Sequence, residues 1–307
     1  MDSLNSLKLS MFLLLPFVTQ SCKQNTPEDT GAEQSGAESP AWSAELLTTL
    51  PGFDVPECAV YDAGTGTVYV SNIESGPDEY WNDDGKSYLS KIGSDHQLEK
   101  LRWLDSSEQS PMHSAKGMCI LGAHLYFTDN TRLMRCQLTS GQALTVVVDG
   151  FDKANDLATD GKNVWVSDTG ASKVYCVSPD GAKREVPAPA SVNGLTFDGG
   201  QLYAVSWGEH DVYQLDAEGK NDPVAFGLAD HFTNLDGIEV LSDGSFLVSD
   251  FMGNKISIID ADRKTVNKLI DIESPADVGI DRKGKRLYVP SFMEGKVSVF
   301  KLQHEEK

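Results

Sequence analysis

Positive charge is scarce in this 307-residue chain: 26 Lys and Arg stand against 46 Asp and Glu, a formal net charge of -20 and a pI near 4.6. Nucleic-acid binding draws affinity from basic groups that displace counterions from phosphates, and anionic lipid repels so acidic a surface. Neither suits this chain as a partner. Long apolar runs are missing as well. The one run of note, MFLLLPFV at residues 11–18, is too short to span a bilayer as a helix. The 27 glycines show no three-residue period, which excludes a collagen-like chain. What remains, 40% hydrophobic and 23% charged residues, is the composition of a globular protein.

Residues 1–22 read as an export signal. Lys8 precedes the apolar run and Thr19-Gln20-Ser21-Cys22 follows it. Ser21 before Cys22 resembles the lipobox of bacterial lipoproteins, in which the cysteine becomes the lipid-bearing first residue, although Thr19 stands where Leu is usual. A plain secretory signal is the alternative. Residues 23–41, KQNTPEDTGAEQSGAESPA, hold almost nothing that could pack in a core and read as a flexible linker. The expected location is therefore outside the cytoplasm, as a periplasmic or cell-surface lipoprotein or a secreted protein. The membrane is touched only through an N-terminal lipid.

From residue 42 onward a repeat governs the chain. PECAVYDAGTGTVYVSN, AKGMCILGAHLYFTD, ANDLATDGKNVWVSD, VNGLTFDGGQLYAVS, LDGIEVLSDGSFLVSD and PADVGIDRKGKRLYVPS share one pattern: a short apolar strand, a Gly/Asp turn, and a second strand ending in a small polar residue. Those last positions, Asn72, Asp129, Asp168, Ser206, Asp250 and Ser291, are spaced by 57, 39, 38, 44 and 41 residues, intervals that suit four-stranded propeller blades. A third strand follows in each unit, as in SKVYCVSPDG or KISIIDADR, and a less regular fourth, such as LEKLRWL, in most. The last unit stops after its third strand, near Leu302, and WSAELLTTL at 42–50 can supply the missing outer one. The expectation is an all-β fold: one six-bladed β-propeller over residues 42–303, closed by the N-terminal strand, which hides the sheet edges.

Topology then collects side chains. The residues that open the inner strands read Glu57, Lys116, Asn155, Asn193, Asp236 and Ala276, and they meet at one rim of the central channel. Asn-Gly, Asp-Gly and Asn-Asp are also ordinary turn dipeptides, so the column alone is equally a set of turns. Its chemistry, two carboxylates and two carboxamides with no His or Cys, suits calcium and not zinc.

At these residues the chain resembles the regucalcin (senescence marker protein)/gluconolactonase family, and more distantly the paraoxonases and strictosidine synthases, over about residues 50–302. The resemblance implies a six-bladed propeller with a divalent metal, usually calcium, in its channel and hydrolysis of lactones or related esters. Glu57, Asn193 and Asp236 match the family's metal ligands, and Asn155 matches the Asn close to metal and substrate. The general base is implied to be Asp236, although a carboxylate shared with a cation is a weak base. Lys116 stands where paraoxonases have a functional His, and it either holds an anionic group of the substrate or balances the acidic rim. Lys153 stands where sugar-acid lactonases carry a substrate-binding Arg. The implied partner is a small-molecule lactone or ester; a metal-stabilised binding propeller without catalysis is the alternative, and a strictosidine-synthase-like condensing or lyase activity a third.

The first interval is long because of ESGPDEYWNDDGKSY at 74–88, between the second and third strands of the first blade. This loop lies on the same rim, so it is expected to cover the channel and offer Tyr80 and Trp81 to a ligand. His113, His210 and His231 read as surface positions in rim connections. Cys58, Cys119, Cys136 and Cys176 are expected to be four reduced, buried thiols serving as small apolar residues, because strand parity points the equivalent pairs the same way.

Overall fold

A computed structural model describes residues 42–305; the expected export signal, Cys22 and the linker lie outside the described residues. Alternation decides the strands. In TVYVSN and VWVSD every residue is buried, since these second strands are covered on both faces by neighbouring blades. The outer strands, such as Lys183–Pro187, face water and carry charge. Six antiparallel four-stranded sheets result, and among the described residues the one helical element is a single 3-10 turn at Ala229–His231. The six-bladed propeller expected from the repeat is the fold.

Closure follows the expected route. Trp42–Pro51 pairs antiparallel with Lys296–His304, from Trp42 opposite His304 to Pro51 opposite Lys296, and becomes the outer strand of the sixth blade. The Trp42 indole donates to Asp243 Oδ2 at 2.8 Å and its ring lies 4.5 Å from that of His304, tilted by 33°. Between blades lie apolar seams; Trp165, Val174 and Val186 of the third blade pack with Val192, Leu195 and Leu202 of the fourth. Each such fully buried side chain contributes roughly 1.5–3 kcal/mol.

One irregularity recurs and shapes the channel. In the inner strands of the first five blades the pairing register shifts between the first and fourth residues, at Pro56/Ala59, Ala115/Met118, Ala154/Leu157, Val192/Leu195 and Leu235/Ile238. This is a β-bulge, which takes two consecutive residues out of the ladder and re-aims their side chains. In the first, third and fifth blades the amide thus orphaned is claimed by a hydroxyl of the second strand. Cys58 N donates to Ser71 Oγ at 3.0 Å, Asp156 N to Ser167 Oγ at 2.8 Å, and Gly237 N to Ser249 Oγ at 2.7 Å.

The polar residues that end the second strands have a structural task. Asp129 Oδ1 accepts from the amides of His113 and Ser114, Asp168 from those of Asp152 and Lys153, and Asp250 from those of Thr233 and Asn234. Each buried aspartate pins the segment that leads into its own blade's inner strand. Among the described residues the four cysteines are free thiols, Cys58, Cys119 and Cys136 buried and Cys176 half-buried against the seam between the third and fourth blades. Cys58 departs from a purely apolar role: its thiol donates to Asp277 Oδ2 at 2.9 Å.

Candidate functional site

The first residue of each bulge faces a cavity of about 420 Å³ at the rim. Glu57, Asn155, Asn193 and Asp236 form its base and are all at least nine-tenths buried. The Asn155 amide donates to Asn193 Oδ1 at 2.6 Å, and the Asn193 amide to Asp236 Oδ1 at 3.1 Å. That chain leaves Glu57 Oε2 buried with no hydrogen-bond partner. A buried carboxylate oxygen without a donor is costly, and the neighbouring oxygens offer it none. Two carboxylates and two carboxamide oxygens therefore fit a hard divalent cation.

Electrostatics agree with that fit. Burial, then repulsion from Asp236, raises Glu57 well above the usual carboxylate range, with Lys116 opposing the rise. Burial pushes Asp236 up to about 7 from an ordinary 3.8, against the lowering effect of the Asn193 hydrogen bond. A carboxylate whose pKa is higher in the folded than in the unfolded protein contributes stability that is full below about pH 4 and lost as pH rises through about 7. Metal-free protein is therefore expected to melt higher at about pH 5 than at about pH 8, and calcium to raise Tm more at the higher pH, where it replaces the lost protons. Calorimetry with chelator and with calcium checks this; a metal-free Tm that climbs between those values would contradict it.

The loop at 74–87 reaches the cavity, where Tyr80 and Trp81 line the wall. Lys116 holds it there. Its ammonium donates to Tyr80 O at 2.9 Å, to Ser114 O and Asn130 Oδ1 at 3.2 Å, and to Ser114 Oγ, and it lies 3.9 Å from the Trp81 ring centroid. Burial lowers its pKa to about 8, against the opposing pull of Glu57. Lys116 is 3% exposed, and its donors are spent on Tyr80 of the loop and on Ser114 and Asn130, which bond the loop in turn. Lys153 is exposed on the cavity wall, 5.5 Å from the Trp81 centroid. His113 is half-buried and accepts the Gly85 amide at 3.1 Å, so it braces the same loop. His210 is half-buried and His231 exposed.

The opposite wall was not anticipated. Ile73, Trp207, Phe251 and Phe292 each follow the last residue of a second strand, while Asn130 and Thr169 hold the same position in the second and third blades. Trp207 and Phe251 lie 5.3 Å apart, Phe251 and Phe292 5.4 Å, and Tyr80 stands edge-on to Phe292 at 5.0 Å. Met252 and Met293 extend this wall into solvent at 57% and 60% exposure. The cavity is thus amphipathic, with Lys153 on one side, an aromatic arc on the other and an oxygen-rich base. The signal lay in the residue after each strand end, a position that only the shared rim makes comparable.

No protein-family model matches the sequence, and no curated protein matches it. Solved structures do match in fold. A gluconolactonase-like protein is 18% identical with a TM-score of 0.63, covering 88% of this chain and 96% of its own. Regucalcin from Agrobacterium tumefaciens, described as a calcium-binding protein, is 15% identical with a TM-score of 0.61, covering 85% and 96%. A streptogramin B lyase is 13% identical with a TM-score of 0.57, covering 86% and 100%. The chain shares the propeller fold of all three.

Proposed function

We propose that this chain is a calcium-dependent hydrolase of lactones or related esters whose acyl part is apolar. The observation that carries the reading is the unpartnered Glu57 Oε2 in an oxygen-rich base, beneath a cavity with one aromatic wall. Glu57, Asn193 and Asp236, with Asn155 beside them, would hold the cation. Bound calcium supplies stabilisation of the negative charge that develops on a carbonyl oxygen. The aromatic arc seats the acyl chain and excludes water from that side, while Lys153 and Trp81 face the polar end of the substrate. Asp236 takes the proton of the attacking water, and the Asn193 amide on Oδ1 keeps its other oxygen turned to that task. Likeness to a gluconolactonase-like fold and to a calcium-binding regucalcin supports the reading. The N-terminal 22 residues support an exported, lipid-anchored or secreted form.

The test is a panel of sugar lactones, alkyl-substituted lactones and aryl esters, assayed with calcium and after chelation. Alkyl and aryl substrates are expected to be turned over with higher kcat/KM than sugar lactones, and chelation to abolish the rate. Calcium binding with no turnover across the panel would favour a binding propeller without catalysis.

A further inference from the structure

The second residue of each bulge forms another tier of the channel, one step below the rim: Cys58, Gly117, Asp156, Gly194, Gly237 and, from the sixth blade, Asp277. Three glycines leave space that three functional side chains fill. A Cβ at Gly117 would lie 2.5 Å from Asp156 Oδ1, and one at Gly237 would lie 2.5 Å from Asp277 Oδ1. The ligand atoms of Cys58, Asp156 and Asp277 all lie within 4.8 Å of one another, and all three residues are buried. Cys58 Sγ is 2.9 Å from Asp277 Oδ2, and Leu195 N donates to Asp156 Oδ2 at 2.6 Å. Asp156 Oδ1 has no partner, although its residue is 4% exposed.

Two carboxylates side by side in a buried channel need a cation or a shared proton between them. The one buried ammonium in the column, Lys116, is committed to Tyr80 O, Ser114 O and Asn130 Oδ1. A thiol beside carboxylates is a donor set that calcium, which takes oxygen alone, does not use and that zinc does. A way in exists from the far side: a cavity of about 590 Å³ opens at the opposite mouth, and Asp156 and Asp277 are part of its lining.

We propose that Cys58, Asp156 and Asp277 form a second metal site, for a thiophilic divalent cation of the zinc class, distinct from the oxygen set above it. On binding, the Cys58 S–H bond breaks, its proton and the one shared by Asp156 and Asp277 leave to solvent, and a sulfur–metal bond forms, with no change of oxidation state. Three anionic ligands and a dication leave one net negative charge, and Asp156 Oδ1 gains the partner it lacks. The site does not depend on the hydrolase reading.

Cobalt(II) is the probe. Metal-stripped full-length chain titrated with cobalt is expected to develop a near-ultraviolet thiolate-to-cobalt charge-transfer band that saturates at one equivalent and is displaced by zinc. Cys58→Ser should lose the band, while Cys119→Ser and Asp236→Asn should keep it, the last of these separating this site from the rim. Should Cys58→Ser fail to fold, Asp156→Asn, read by the same band, should bind cobalt at least about tenfold more weakly. Wild-type protein without the band, or a band that survives Cys58→Ser, would overturn the proposal and leave a proton shared by the two aspartates.

Discussion

Replacing Asp236 with Asn, or Glu57 with Gln, is expected to lower kcat/KM for lactones by about 10³-fold, the scale seen when a group that stabilises charge in a transition state, or removes a proton there, is lost. Both substitutions keep shape and remove one negative charge from a buried pair, so they act on chemistry more than on packing. Their effect on stability should have the opposite sign in the two metal states. Without metal the variants should melt at or above the wild type at about pH 8, because a strained buried charge has gone. With calcium at about a hundred times its Kd, the wild type should gain about 2.7 kcal/mol and the variants little of it. Loss of activity together with an unchanged calcium increment would show that the cation is held elsewhere.

Gly194→Ala is expected to be among the damaging small substitutions of the inner strands. A Cβ there would sit 2.3 Å from Asp236 O and 3.0 Å from Gly237 Cα, so the clash is with the backbone of the next inner strand and no side chain can swing aside. Overpacking of this kind costs about 3 kcal/mol or more, which corresponds to a fall in Tm of roughly 6–12 °C in a domain of this size. Relief requires moving the Asp236 peptide, so calcium affinity should fall with stability. Gly76→Ala, whose Cβ would meet only Glu79 Oε2 at 3.8 Å, serves as the control and should change stability by less than about 0.5 kcal/mol. A Gly194→Ala protein as stable as that control would show that the inner strands can slide apart, and the bulge would lose its assigned role.

Some of the site was readable because it sits where the pattern is regular. Glu57, Asn155, Asn193 and Asp236 open their inner strands at the repeat's own spacing, so aligning the repeats aligned the column. Lys116 was readable as a position but not as a role, since its ammonium is consumed by Tyr80 O, in a loop whose path has no sequence period, and by Ser114 O and Asn130 Oδ1. The aromatic arc stood in the sequence as Trp207, Phe251 and Phe292, yet those residues become neighbours only when three blades end on one rim. Cys58, Asp156 and Asp277 were hidden by the bulge. Period-2 alternation assigns consecutive residues to opposite faces, and a bulge suspends that rule for one pair in each of the first five inner strands.

The ring, its six blades and its closure by Trp42–Pro51 were thus decided locally, by alternation, turn dipeptides and a repeat that recurs about every 40 residues. The depth at which each channel residue lies, the loop over the rim, the wall opposite Lys153 and the thiol among carboxylates were decided only when the blades met. They depend on contacts between residues tens to hundreds of positions apart, such as Cys58 and Asp277, which no local pattern encodes.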